Sequence, residues 1–202
     1  MKQRIAIFIS GRGSNMEAIL KQAQNGILAD CCEVVLVFAN TREADGLQIA
    51  RQFGAPTAII ASQGKKRTVF DQEVLALLEP LFLDYLVLAG YMRILSPAVI
   101  ERYRHRIINI HPADTRAYQG MHGYEWAFEQ RLERTTISVH LVDEGVDTGR
   151  ILAQREVDLR GAATLAEVKA RGLRVEHALY SETLRDVFIR TDSHLIEQQI
   201  RA

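Results

Sequence analysis

Short apolar runs alternate with longer amphipathic segments along most of the chain, and that alternation predicts its elements. Ile5–Ile9 reads as a buried strand, followed by a glycine-bearing turn and a helix from about Asn15 to Gln24. Val34–Phe38 predicts a second strand, and Ala44–Phe53 a helix closed by Gly54. Thr57–Ile60 is a short third strand, and Thr68–Leu78 carries its apolar residues at helical spacing. Tyr85–Leu88 is a fourth strand. Ser96-Pro97 then supplies an N-cap and a proline at the first position of a helix reaching about Tyr103. Ile107–Ile110 is a fifth strand. Beyond it, Thr136–Val142 and Ile151–Val157 are apolar runs separated by the acidic loop Asp143–Gly149. Thr164-Leu165-Ala166-Glu167 is a capping-box sequence that opens a long helix to about Phe188.

Strand, helix, strand repeated in this way implies right-handed crossovers. The expected fold is α/β, a mostly parallel, doubly wound, Rossmann-like sheet with helices on both faces. No repeat, low-complexity tract or linker interrupts it. The expectation is a single domain over residues 1–202, with its core at 4–190 and a C-terminal tail at 191–202. A chain of 202 residues with 48% hydrophobic content buries roughly 70% of its unfolded surface, enough to fold without staples.

Charge and cysteines narrow the function classes. Twenty-five basic residues balance 25 acidic ones, which argues against a dedicated nucleic-acid binder. Cys31 and Cys32 are adjacent, unsuited to a mutual disulfide or to a metal site of their own, and fit a reducing cytosol. The apolar run Ile5–Ile9 is too short for a signal peptide or a membrane span, so a cytoplasmic protein without membrane contact is expected.

Three segments carry candidate chemistry. Ser10-Gly11-Arg12-Gly13-Ser14-Asn15 ends the first strand and opens a helix, where free N–H groups favour a phosphate. The third glycine of a dinucleotide fingerprint is missing and Asn40 replaces an acid after the second strand, which disfavours NAD. The same glycines would also serve as a plain turn. Asn109 and His111 lie two apart on the fifth strand and face one side. An amide beside an imidazole suits a carbonyl that becomes an oxyanion while a leaving nitrogen is protonated, although on this motif alone a satisfied histidine at a strand end, beside a turn-forming proline, is the commoner arrangement. Asp147, in the acidic loop, could orient His111 or relay a proton, or lie in a solvated turn. The six histidines are scattered and suggest no metal quartet.

Taken in order, Ser10–Asn15, Gly90-Tyr-Met-Arg-Ile-Leu-Ser-Pro97, Asn109-Ile-His-Pro112 and Asp147-Thr-Gly149 resemble the folate-dependent formyltransferases, of the glycinamide ribonucleotide type, from about residue 4 to residue 180. The resemblance implies 10-formyltetrahydrofolate as co-substrate, a phosphorylated amine as acceptor, no metal, and a monomer or homodimer acting on small molecules. It makes Asn109, His111 and Asp147 catalytic. Arg67, Met92, Arg93, Ile94, Leu95 and Asn109 would border the folate, with Val139–Asp147 as the opposite wall. Gly13, Ser14 and Asn15 would cradle the ribonucleotide phosphate, and Glu176 would meet the acceptor amine. The chain departs from the pattern at Ala113–Gly120, where relatives carry Ser-Leu-Leu-Pro and a glycine-ending turn. It also has Leu173 where glutamine is common and Tyr124 where a second histidine is common. These changes keep other functions open. One is formyl transfer to a different amine, such as an amino sugar nucleotide. Others are formyl-folate hydrolysis and a non-catalytic folate- or nucleotide-binding module.

Overall fold

The computed structural model describes the backbone of residues 2–200 and the side chains of residues 2–190. A seven-stranded sheet runs in the order β3-β2-β1-β4-β5-β6-β7. Its strands are β1 (Gln3–Ile9), β2 (Cys32–Ala39), β3 (Thr57–Ile59), β4 (Tyr85–Leu88), β5 (Ile107–His111), β6 (Arg134–Leu141) and β7 (Ile151–Asp158). The first five are mutually parallel, while β6 and β7 join antiparallel. The mostly parallel α/β architecture is therefore the one the pattern predicts.

The uninterrupted hydrophobicity of β1 follows from burial on both faces. Ile5, Ile7 and Ile9 join one core cluster, Ala6 and Phe8 the other. The first cluster packs against α1 (Ser14–Asn25), α2 (Gly46–Gln52), α5 (Gly123–Glu129) and α6 (Leu165–Ile200). The second packs against α3 (Arg67–Leu78) and α4 (Pro97–Arg102). The periodicity did not reveal α5. Helix α6 continues past the expected end at Phe188, and the expected tail at 191–202 falls on side chains outside those described. Cys31 and Cys32 are free thiols, and burial pushes Cys32 up to about 12.

Strand order reverses between β1 and β4, which opens a crevice beyond their carboxyl ends. The Ser10 N–H donates to the Gly90 carbonyl at 3.1 Å, and Ser10 Oγ donates to Asn40 Oδ1 at 2.6 Å while accepting from the Met92 N–H at 2.8 Å. Asn40, which stands where a dinucleotide fold carries an acid, thus anchors Ser10, and Ser10 ties the glycine turn to the segment after β4.

Tyr180 of α6 is fully buried, and its hydroxyl lies 2.9 Å from both the Leu88 and the Ile108 carbonyls. One shared proton pins the helix to β4 and β5 beside the crevice. Tyr180→Phe should lower unfolding free energy by about 1–3 kcal/mol, the cost of leaving buried acceptors short of a donor. Urea denaturation measures this, and a loss too small to detect would show that the carbonyls are satisfied without Tyr180.

Candidate active site

The crevice opens into a cavity of about 710 Å³, a size suited to a cofactor or drug-sized ligand. Arg67, Met92, Arg93, Ile94 and Leu95 line one side, Asn109 and His111 the floor, and His140, Val142 and the 143–149 loop the other side. Met92 and Ile94 are 63% and 54% exposed, large apolar side chains turned outward at a cavity lip rather than into a core. The Arg93 guanidinium stacks over the Phe70 ring at 4.6 Å, which holds it flat against α3.

The catalytic candidates meet at Asp147. Its Oδ2 lies 3.4 Å from His111 Nδ1 and accepts the Gly120 N–H at 2.9 Å. Its Oδ1 lies 3.3 Å from His140 Nε2 and accepts from Asn109 Nδ2 at 3.3 Å. Asp147 reaches this position from the left-handed backbone region, φ 53°, a strained conformation that an aspartate tolerates better than most residues.

The two imidazoles share a pattern. His111 Nε2 donates to the Tyr118 carbonyl at 3.0 Å, and His140 Nδ1 donates to the Leu141 carbonyl at 2.8 Å. Each therefore commits one N–H to the backbone and turns its other nitrogen toward Asp147. When neutral, each presents a lone pair there; when protonated, an N–H that the carboxylate stabilises. Burial holds His111 below the usual histidine range, opposed by the Asp147 charge. For Asp147 burial is the largest influence and acts upward, but His140, the Gly120 N–H and the His111 charge together outweigh it and bring the carboxyl below its ordinary value. A neutral imidazole beside an ionised carboxylate is a place where one arriving proton is well held.

His140 fell inside the expected Val139–Asp147 wall but was given no role by the sequence. Antiparallel pairing places it directly opposite Asn109, and Asn109 Nδ2 sits 3.3 Å from its Nε2. The atypical Ala113–Gly120 loop packs onto the same cluster. Besides the Tyr118 and Gly120 bonds, the Tyr118 ring stacks on Trp126 at 4.8 Å, and Asp114 accepts from the Arg116 N–H and from Gln154.

The remaining candidates assemble separately. Gly13 adopts φ 71° as the N-cap of α1, so Ser14 and Asn15 start the helix with free N–H groups. Asn15 Nδ2 donates to Glu176 of α6, which also accepts from the Tyr124 hydroxyl. Neither Asn15 nor Glu176 lines the 710 Å³ cavity, although the Glu176 charge weakly favours protonated His111. No described helix is long and apolar enough to cross a membrane.

The formyl transferase family model matches residues 3–184. The chain belongs to that family. It is 37% identical over 177 residues to phosphoribosylglycinamide formyltransferase of Escherichia coli K12, covering 87% of this chain and 82% of that one. It is also 37% identical over 159 residues to the trifunctional purine biosynthetic protein adenosine-3 of Drosophila melanogaster, covering 78% of this chain but spanning only 12% of that longer protein. Among solved structures, phosphoribosylglycinamide formyltransferase from Brucella melitensis superposes with a TM-score of 0.85 at 38% identity, over 93% of this chain and 96% of that one. The formyl transferase fold thus accounts for the sheet order, and the crevice at its reversal is where chemistry-bearing side chains gather.

Proposed function

We propose that this protein transfers the formyl group of 10-formyltetrahydrofolate to the amine of glycinamide ribonucleotide, a step of purine biosynthesis. The observation that carries the reading is the convergence of Asn109, His111, His140 and Asp147 at the floor of a cavity whose other end is apolar and edged by Arg67. Met92, Ile94 and Leu95 offer an apolar wall for a flat heterocycle. Arg67 and Arg93 offer cations for an acidic tail. The sequence and structural relatives are themselves phosphoribosylglycinamide formyltransferases, which supports this acceptor over an amino sugar nucleotide or water.

The chemistry is proton-neutral overall. The acceptor nitrogen attacks the formyl carbon and the carbonyl electrons move to oxygen. Collapse expels the folate nitrogen, and the proton lost by the acceptor amine ends on that leaving nitrogen. Asn109 Nδ2 stabilises the oxyanion. Both its hydrogens face partners in the cluster, Asp147 and His140, so the substrate oxygen takes over one of these bonds. His111 acts as general acid through Nδ1, since Nε2 is committed to the Tyr118 carbonyl. The Nδ1–H, held loosely by Asp147 at 3.4 Å while the ring is protonated, turns from that carboxylate to the leaving nitrogen, with His140 sharing the load on Asp147. The single continuous sheet is consistent with one formyltransferase domain with its core at 4–190. The small-molecule substrates, a cytoplasmic setting and a monomer or homodimer complete the proposal.

Gly13, Ser14 and Asn15 take the ribonucleotide phosphate in this account. A Cβ on Gly13 would come within 2.9 Å of Met16 Cε, and φ 71° is disfavoured for any side chain. Gly13→Val should therefore raise the Michaelis constant for glycinamide ribonucleotide about tenfold or more while leaving that for the folate nearly unchanged. Steady-state kinetics with each substrate varied in turn tests this. An equal rise for both would mean general distortion, and no rise would remove the phosphate from this turn.

A further inference from the structure

Glu176 is 5% exposed, and a carboxylate so buried needs hydrogen bonds to both oxygens. The Tyr124 hydroxyl, from α5, donates to Oε1, and the Asn15 amide, from the start of α1, donates to Oε2. Tyr124 and Asn15 are themselves 8% and 7% exposed. The Asn15 side-chain amide oxygen Oδ1 is buried with no hydrogen-bond partner among the described residues. An orphan acceptor beside a carboxylate whose oxygens still have lone pairs calls for a ligand that brings hydrogen-bond donors.

Tyr124 fits only because of Gly172. One turn before Glu176 on α6, Gly172 lies against the Tyr124 ring, and a Cβ there would sit 2.2 Å from Tyr124 Cε1 and 2.3 Å from its hydroxyl. Glycine is a poor helix former, so its presence inside α6 has a packing reason, and the tyrosine is that reason. Burial first, then the Glu176 charge, holds the phenol well above its ordinary pKa, so it remains a donor.

We propose that Tyr124, admitted by the missing side chain at Gly172, is a positioning residue that aims Glu176 and Asn15 at the donor groups of the acceptor and thereby sets acceptor recognition in this chain. The inference rests on the reading that Glu176 faces the acceptor. The chemistry selected is a cluster of N–H or O–H donors, supplied by the amine or by the ribose hydroxyls of one nucleotide.

Tyr124→Phe removes only the hydroxyl. It should raise the Michaelis constant for glycinamide ribonucleotide about tenfold, with kcat within about threefold and the folate constant unchanged. Repeating the comparison with the 2′,3′-dideoxyribonucleotide tells which donors are read: a persisting effect assigns the amine, a vanishing one the ribose hydroxyls. Gly172→Ala should lower Tm by expelling the ring, and adding Tyr124→Ala should restore Tm while the acceptor constant stays high. An unchanged acceptor constant in Tyr124→Phe, or a parallel change in both substrates, would overturn the proposal. If the wild-type protein releases no tetrahydrofolate with this acceptor, the functional reading fails, and the positioning claim is judged by NMR. In tyrosine-labelled protein a slowly exchanging, low-field hydroxyl proton, absent from Tyr124→Phe, should move upfield in Glu176→Gln. No movement would overturn the pairing itself.

Discussion

Asn109→Ala is expected to lower kcat by about 10²–10³ while both Michaelis constants stay within a few-fold, the usual result of removing one oxyanion donor. The size follows from where Asn109 sits. It lies on β5, one of the central strands, opposite His140, so its amide is held by backbone pairing on both sides rather than by a mobile loop. In the proposed mechanism a donor fixed in this way would meet the charge forming on the formyl oxygen by exchanging only one of its two bonds within the cluster. The alanine variant also deprives Asp147 Oδ1 of one of its donors. The carboxylate keeps the Gly120 N–H and both imidazoles, so the site should remain folded and able to bind. Turnover within tenfold of wild type would remove Asn109 from the chemistry.

Gly149→Ala should be nearly as damaging, by a different route. A Cβ on Gly149 would lie 1.8 Å from the Leu141 carbonyl oxygen and 2.8 Å from its carbon, and both are backbone atoms that cannot rotate away. The 143–149 loop must shift to relieve the contact, and it carries Asp147. A displacement of about 1 Å at a reacting centre can cost 10²-fold in rate. Gly149→Ala is therefore expected to lose at least that much kcat and to lower Tm, since Leu141 N–H also bonds Arg150 across the same junction at 2.9 Å. A variant with normal Tm and near-normal turnover would show that the loop position matters less to Asp147 than its hydrogen bonds suggest.

These residues differ in how far the sequence disclosed them. Alternation along Ile107–Ile110 put Asn109 and His111 on one face of a strand, because side-chain direction in a strand is local and has period two. The parallel strands were visible for a similar reason. Burial on both faces makes each a short, uninterrupted apolar run, as Ile5–Ile9 shows. His140 was not visible as a partner of Asp147. Its role depends on the register of an antiparallel pair whose connection runs through the 112–133 segment, and register is a tertiary property. Helix α5 was also missed. It has only seven residues and begins at His122 in the left-handed region without a side-chain cap, so neither periodicity nor a capping signal announces it. Tyr124 stood out as a departure from the family pattern, but nothing in the sequence linked it to Gly172, 48 positions away, because only packing brings the two together. The acidic loop gave the identity of Asp147 but not its positive φ, which is what turns the carboxylate back toward β5 and β6.

One measurement decides the proposed acceptor. Purified protein is given saturating 10-formyltetrahydrofolate, and release of tetrahydrofolate is followed with glycinamide ribonucleotide, with an amino sugar nucleotide, and with water alone. Release should depend on glycinamide ribonucleotide and yield one formylated nucleotide for each tetrahydrofolate formed. Release no faster with glycinamide ribonucleotide than with water, or faster with the amino sugar, would contradict the proposed acceptor and with it the central claim.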